Sequence, residues 1–378
     1  MSDWRSVTIG ELLTLEYGKP LPEAARDGQG FPVYGSNGIV GFHSQALVKG
    51  PGVVVGRKGS SGTVTFSESD FTPIDTAFYV SIKNRSEIGM EFVYHLLANA
   101  KLTELTTQTG VPGLSRSRAY EVRVAVPPLP VQLRIVEMIG AVDDQITALD
   151  AEAESLHAVL RRLRTELVDD QGVPTIRADE AFEIRMGRQR APQYAAGPYM
   201  TPYLRSANVG YGTLDLTDVL EMNFDPKERQ VFGLVPGDVL VSEGSASQSA
   251  VGMPAVWRGE LPGPICFQKT LMRYRAIEGI SVPAFVNHWC LWAYESGTFL
   301  DTAGGTNIKH ITAMRAVRMP VRLPSVADQV RIAAELDTMS EAVAAVRAEE
   351  YRLRAVRARL LGALLDRTID LKSAESES

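Results

Sequence analysis

Cysteine is almost missing from this chain: Cys266 and Cys290 are the only two in 378 residues. Neither sits in a CxxC pair or beside a histidine cluster, which excludes a disulfide framework and a cysteine-based zinc site. Both are expected to be free, buried thiols in a reducing cytoplasm. No run approaches 18 apolar residues, so no membrane span is expected. The opening MSDWRSVTIGELL has no basic segment leading into an apolar one, so no signal peptide is expected. An excess of positive charge is also missing. The formal net charge is −6, whereas dedicated nucleic-acid binders are more often basic. Residues 1–172 carry 16 basic and 21 acidic side chains, and 173–378 carry 23 and 24, so the acidity is concentrated in the first part. A local basic cleft is compatible with that total.

Catalytic constellations are absent as well. The five histidines (His43, His95, His157, His288 and His310) show no metal-ligand spacing. There is no G-x-S-x-G elbow, no Asn/Asp-Pro-Pro-aromatic motif and no glycine-rich loop for S-adenosylmethionine. GRKGSSG at 56–62 lacks the GxxxxGK[ST] spacing of a phosphate loop, and no helical pattern follows it. The chain is therefore expected to be no enzyme. Its 45% hydrophobic and 22% charged content is ordinary for a globular protein, and its length calls for two or more domains.

What the chain does have is a long internal repeat. VPPLPVQLRIVEMIGAVDDQITAL begins at Val126, and LPSVADQVRIAAELDTMSEAVAAV begins at Leu323, 197 residues later. At that offset Gln132-Leu133-Arg134-Ile135 falls on Gln329-Val330-Arg331-Ile332, and the register holds without a gap to Leu167 over Leu364. In the first copy Ile135, Ile139, Val142, Ile146, Leu149, Ala153, Leu156, Leu160, Leu163 and Leu167 alternate steps of four and three. That 3.5-residue apolar period is the seam of a coiled coil. The second copy gives Ile332, Leu336, Met339, Val343, Val346, Glu350, Leu353, Arg357, Leu360 and Leu364. Glu350 and Arg357 interrupt this stripe; they either fix its register at some cost in stability or, the favoured reading, snorkel at its edge. Prolines precede the first helix, Gly172 and Pro174 stop it, and Ser325 to Asp328 has capping-box spacing. From Ile135 to Leu167 the helix would run roughly 50 Å at 1.5 Å per residue. The two helices are expected to pair, and the separation between them leaves either orientation open.

The stretches before the two helices echo each other weakly. VTIGELLTLEYGKP from Val7 stands against TIRADEAFEIRMGRQR from Thr175, with Gly18 answering Gly187 and Lys19 answering Arg188. A P-G step leads into Val/Leu alternation and a Gly/Ser-rich turn in both GPGVVVGRKGSSGTVTF (from Gly50) and VPGDVLVSEGSASQSAVG (from Val235). This pattern reads as β-structure with tight turns. A short amphipathic helix follows, near MEFVYHLLAN from Met90 and PAFVNHWCLW from Pro283. The order is globular, helix, globular, helix, with strongly repeated helices and weakly repeated globular units.

This order, with the PPLP…Q-x-R-I lead into a long helix after each unit, resembles the specificity subunit of type I restriction–modification enzymes. The resemblance covers roughly residues 5–368. It implies an α+β fold: two mixed α/β target recognition domains, 1–127 and 173–323, separated by two helices, 128–172 and 324–368, forming an antiparallel coiled coil. Residues 369–378 are expected to be a disordered tail. It further implies a non-catalytic, cytoplasmic DNA specificity subunit. Each recognition domain would read one half of a bipartite site in double-stranded DNA. The helices, with Ile139, Val142, Ile146, Leu149, Leu156, Leu336, Met339, Val343, Val346 and Leu353 in their seam, would set the spacing. Two DNA methyltransferase subunits and restriction/translocase subunits would be the partners. S-adenosylmethionine and ATP/Mg would belong to those partners, with no cofactor on this chain and no membrane contact. The alternative is a coiled-coil adaptor whose globular units bind proteins.

Candidate DNA contacts come from the polar turns. Arg57, Lys58, Ser60 and Ser61 lie in the first unit's Gly/Ser turn, and Glu243, Ser245 and Gln248 in the second's. Arg116 and Arg118 (SRSR) and Asn307, Lys309 and His310 (TNIKH) lie in the loops before each unit's last strand. Arginine forks onto guanine or pairs with phosphate, glutamate accepts from cytosine N4, and glutamine pairs with adenine. Tyr34, Tyr199, Tyr203 and Tyr211 are expected to serve packing.

Overall fold

The computed structural model describes residues 4–107, 113–305 and 308–369. It divides into two compact units, Met1–Asp150 with Ala348–Ser378, and Ala151–Arg347. Both divisions fall inside the long helices Leu129–Val168 and Val326–Leu365. Each unit is therefore a globular portion built onto a stretch of helix pair.

In the first unit the ribbon Arg5–Thr8 pairs antiparallel with Arg123–Val126, the strand that leads into the first long helix. A four-stranded antiparallel sheet follows in the order Leu13–Tyr17, Ala77–Ile82, Gly52–Gly56, Val64–Ser67. Helix Met90–Asn99 packs on it through Phe92, Val93, Leu96 and Leu97. A three-stranded sheet of Gly38–His43, Phe31–Gly35 and Thr72–Pro73 completes the unit, with its last pair parallel.

The second unit repeats this plan. Its ribbon is Thr175–Arg177 with Pro320–Arg322. Its four-stranded sheet runs Phe182–Met186, Leu271–Ala276, Val239–Ser242, Pro254–Val256. Its three-stranded sheet is Leu220–Asn223, Met200–Leu204 and Cys266–Phe267, again with one parallel pair. Helix Pro283–Glu295 buries Phe285, Val286 and Trp289 in the core. Cys266 and Cys290 are free and buried. The matched Gly18 and Gly187 have a steric reason. A Cβ at Gly18 would lie 2.1 Å from the Ile74 carbonyl oxygen, and one at Gly187 would lie 2.2 Å from that of Gln268.

The seam residues face inward in both helices. Ile135, Ile139, Ile146, Ala153 and Leu160 are buried on the first, as are Ile332, Leu336 and Leu364 on the second; the other apolar seam positions are half-buried. In the first unit the start of one helix meets the end of the other: Ile135 and Ile139 share a core with Leu361, Leu364 and Leu365. The helices are therefore antiparallel there. In the second unit Leu160, Leu163 and Leu167 share a core with Ile332, Leu336, Met339 and Val343. Ser325 caps its helix as its spacing predicts, accepting from the Asp328 N–H at 3.2 Å.

Glu350 and Arg357 do not snorkel into water. Arg357 crosses to the opposing helix and pairs with Asp143, Nη2 to Oδ2 at 2.7 Å. Glu350 is buried and accepts from Arg354 one turn along its own helix at 2.8 Å. Each interruption of the apolar stripe is thus compensated by a charge partner.

The glutamine of the repeated Q-x-R-I signature acquires a structural role. Gln132 Nε2 donates to the carbonyls of Glu87 and Pro127, both at 2.8 Å, and its Oε1 accepts from the Gly89 N–H at 3.1 Å. Gln329 makes the same set: Nε2 to Ile280 O and Pro324 O at 2.9 Å, and Oε1 from the Val282 N–H at 3.0 Å. Gly89 and Val282 are the N-cap residues of the short domain helices. Each glutamine therefore ties the start of a long helix to the start of a short one.

The short helices also share a buried histidine. His288 Nε2 lies 2.9 Å from Asp337 Oδ1 on the second long helix. His95, its counterpart, has its pKa pushed down to about 4, first by burial and then by the Arg357 charge, with Asp143 opposing. A histidine held neutral in the folded state while the unfolded chain titrates near 6.5 removes stability as pH falls through that window. Between pH 6.5 and 4 the first unit should lose about 3 kcal/mol through this group. Urea melts of the full chain at neutral pH and near pH 4.5 check this. His95→Leu should flatten the difference, and an unchanged pH dependence would refute the assignment.

Candidate nucleic-acid interface

In the first unit two polar loops, joined at Arg57 and Leu114, form one surface. The Leu114 N–H donates to the Arg57 carbonyl at 2.9 Å, and Lys58 bridges to Gly113. This contact brings the turn carrying Arg57, Lys58 and Ser60 beside the helix Arg116–Glu121, which carries Arg116 and Arg118. Ser115 caps that helix, its side chain accepting from the Arg118 N–H. Between the loops stands Tyr17, the last residue of its strand and 48% exposed. The Arg57 guanidinium lies 4.7 Å from the ring centroid and the Arg116 guanidinium 5.0 Å from it. Arg57 Nη1 also donates to the Asp75 carbonyl at 2.9 Å. Two cations on one aromatic ring gain from its negative faces while keeping edge N–H donors for a ligand.

Lys58, Ser60 and Arg118 are exposed, and Arg57 and Arg116 half-buried. Ser61 is the exception: at 5% exposure its hydroxyl points inward, away from any ligand that approaches the turn. Gly62, at φ +84°, turns the chain back so that its N–H reaches the Gly56 carbonyl, which carries Ser61 under the turn.

The second unit joins the same two elements. Gly244 pairs with His310 and Ser245 with Lys309, and the Ile311 N–H donates to the Glu243 carbonyl at 2.8 Å. His310 is exposed, while Glu243, Ser245 and Lys309 are half-buried. Burial raises the Glu243 pKa, with His310 and Lys269 opposing the shift. Gln248 is exposed and lines a pocket of about 440 Å³ with His157, Arg161, Tyr211 and Tyr294. Asn307 lies outside the described residues.

Of the tyrosines assigned to packing, Tyr34 and Tyr203 are buried. Tyr211 has its phenol on Glu295, and Tyr199 is exposed beneath Arg229. Three residues at these surfaces escaped the sequence reading: Tyr17, Lys269 and Arg315. Arg315 was findable, because it stands 197 residues after Arg118 and its N–H is capped by Thr312 as that of Arg118 is by Ser115. Tyr17 carried no such signal, since Met186 occupies its place before the matched glycine.

Comparison with known proteins agrees with this architecture. A family model described as the type I restriction modification DNA specificity domain matches residues 1–156. The EcoprrI specificity subunit of Escherichia coli is 22% identical over 168 residues, 43% of this chain and 41% of that protein. The StySPI specificity subunit of Salmonella potsdam is 27% identical over 180 residues, 47% of this chain and 37% of that protein. The chain thus spans about two fifths of the length of these curated relatives. Among solved structures, the type I restriction-modification S subunit from M. genitalium aligns over 96% of both chains, with TM-score 0.56 and 14% identity. A chain from a study of complex assembly and conformational transition in the type I R-M system aligns over 96% of this chain and 97% of its own, with TM-score 0.61 and 17% identity. At such identities these structures speak for the fold alone.

Proposed function

We infer that this chain is a specificity subunit of the type I restriction–modification family and that its two globular portions read the two halves of a split DNA site. The observation that carries this reading is the duplicated surface. Each unit uses the same backbone pairing to join a polar turn to a polar loop, yet fills the two surfaces with different side chains. A constant frame with variable side chains suits two readers of different half-sequences. Lys58, Ser60 and Arg118 supply phosphate contacts that set register, and the framed side chains face base edges. Binding is salt-sensitive despite the acidic total, because it depends on local cations.

The helix pair holds the readers at a set separation and docks two methyltransferase subunits. Support for two equivalent docking places comes from exposed apolar residues at repeat-related positions. Leu129 and Leu133 are exposed at the start of the first helix, as are Val326 and Val330 at the start of the second. S-adenosylmethionine and ATP/Mg belong to the methyltransferase and restriction/translocase subunits, and this chain contributes recognition without catalysis.

Mapping methylated adenines across the host genome, with and without this chain, tests the reading. A split motif that disappears on deletion is the expected result. An unchanged methylation pattern would sink it and favour the adaptor alternative.

A further inference from the structure

The two units can be compared residue by residue at their polar turns, because the framing backbone bonds are the same. In the first, Arg57 N donates to Thr76 O at 2.9 Å, Arg57 O accepts from Leu114 N at 2.9 Å, and Gly62 N returns to Gly56 O at 2.8 Å. In the second, Glu243 N donates to Thr270 O at 2.9 Å, Glu243 O accepts from Ile311 N at 2.8 Å, and Gly252 N returns to Ser242 O at 2.9 Å. Leu114 and Ile311 are 197 residues apart, the offset of the helix repeat. Arg57 and Glu243 therefore occupy one structural position with opposite charge.

Their surroundings differ to match. Arg57 rests on Tyr17 beside Arg116. At the equivalent places the second unit has Met186 and Ala313, and the charges acting on Glu243 are His310 and Lys269. The first arrangement presents N–H donors and the second a carboxylate that accepts.

We propose that this shared position is where each unit reads a base edge, Arg57 taking a guanine and Glu243 the amino group of a cytosine. The inference rests on the reading of the units as half-site readers. Guanine shows two acceptors, O6 and N7, in the major groove, and these match an arginine fork; cytosine shows the N4 donor, which matches a carboxylate. Among the first unit's turn candidates, Arg57 has its guanidinium held by an aromatic face and a carbonyl at once. Orientation of that kind is what base readout requires and phosphate contact does not. Tyr17 is then a positioning residue, acting through the two guanidiniums.

The test uses the full chain assembled with the modification subunits of its own genome. The complex selects from a randomised duplex library, and the methylated duplexes are sequenced. Arg57→Glu should reduce the preference for guanine at one base pair of one half-site by about tenfold and leave the other half unchanged. Glu243→Gln, which keeps the side-chain shape, should change one base pair of the other half only, from cytosine towards adenine. Tyr17→Leu should weaken the guanine preference without replacing it by another base. The inference is overturned if either folded variant leaves the motif unchanged or alters both halves. If Arg57→Glu does not fold, as judged by its melting curve, Glu243→Gln decides alone. A wild-type complex that selects no split motif would defeat the half-site reading itself, whereas a split motif indifferent to these variants defeats only this assignment.

Discussion

Replacing Glu295 with alanine is expected to lower the stability of the second unit by about 3–5 kcal/mol, the usual cost of stranding one member of a buried ion pair. Glu295 ends the short helix Pro283–Glu295 and pairs with Arg164 of the first long helix. The two side chains are 6% and 2% exposed. The Tyr211 hydroxyl donates to the same carboxylate, and burial, with that negative charge, raises the phenol pKa. Without the carboxylate, the guanidinium remains inside with no counter-charge. The double variant Arg164→Leu, Glu295→Met removes both charges and should recover most of the loss, because a buried pair contributes little net once its desolvation is counted. Three of the four tryptophans (Trp257, Trp289 and Trp292) lie in this unit, so a fluorescence-detected urea melt of the full chain reports on it. A double variant as unstable as the single one would show that shape, and not charge, matters at this place.

The second large effect should come from the paired glutamines. Gln329→Leu keeps volume and burial but leaves the Val282 N–H and the carbonyls of Ile280 and Pro324 without their partner. An unsatisfied buried group costs about 1–3 kcal/mol, so losing three should cost about 4 kcal/mol. Gln132→Leu should act alike on the first unit through Gly89, Glu87 and Pro127. A loss under about 1 kcal/mol would mean that water reaches these groups when the amide is gone. Hydrogen exchange should place the damage at the start of the short helix, where the orphaned N–H lies.

These glutamines also show how far the sequence could be read. The repeat made them visible as part of a signature, but the N–H groups they accept from lie 43 and 47 residues before them, beyond the reach of any local pattern. The helices themselves were legible, because a 3.5-residue apolar period needs only neighbours on the same strand of sequence. The role of Arg357 was not legible for the opposite reason: its partner Asp143 is 214 residues away, on the other helix. The common plan of the globular units was legible at Gly18 and Gly187, where backbone crowding forbids a side chain, in the P-G steps leading into Gly52–Gly56 and Val239–Ser242, and in the short helices at Met90 and Pro283. Elsewhere, strands of two to six residues tolerate many apolar sequences, so the topology recurs where the letters do not. At the candidate surface, Arg57 and Arg116 were visible as charges, but the ring that joins them was not, and Ser61 looked available until the turn carried it inside.

The ribbon at the base of each globular portion has one further consequence. Arg5–Thr8 lies against Arg123–Val126, and Thr175–Arg177 against Pro320–Arg322, so the chain enters and leaves each portion on adjacent strands, about 5 Å apart. Everything between such strands is a cassette on a fixed chassis. Changes of length between these strands leave the entry and exit of the chain side by side. The glutamine at each helix start is the condition on any exchange, because Glu87 and Gly89, like Ile280 and Val282, lie between those strands and must be matched by groups that satisfy it.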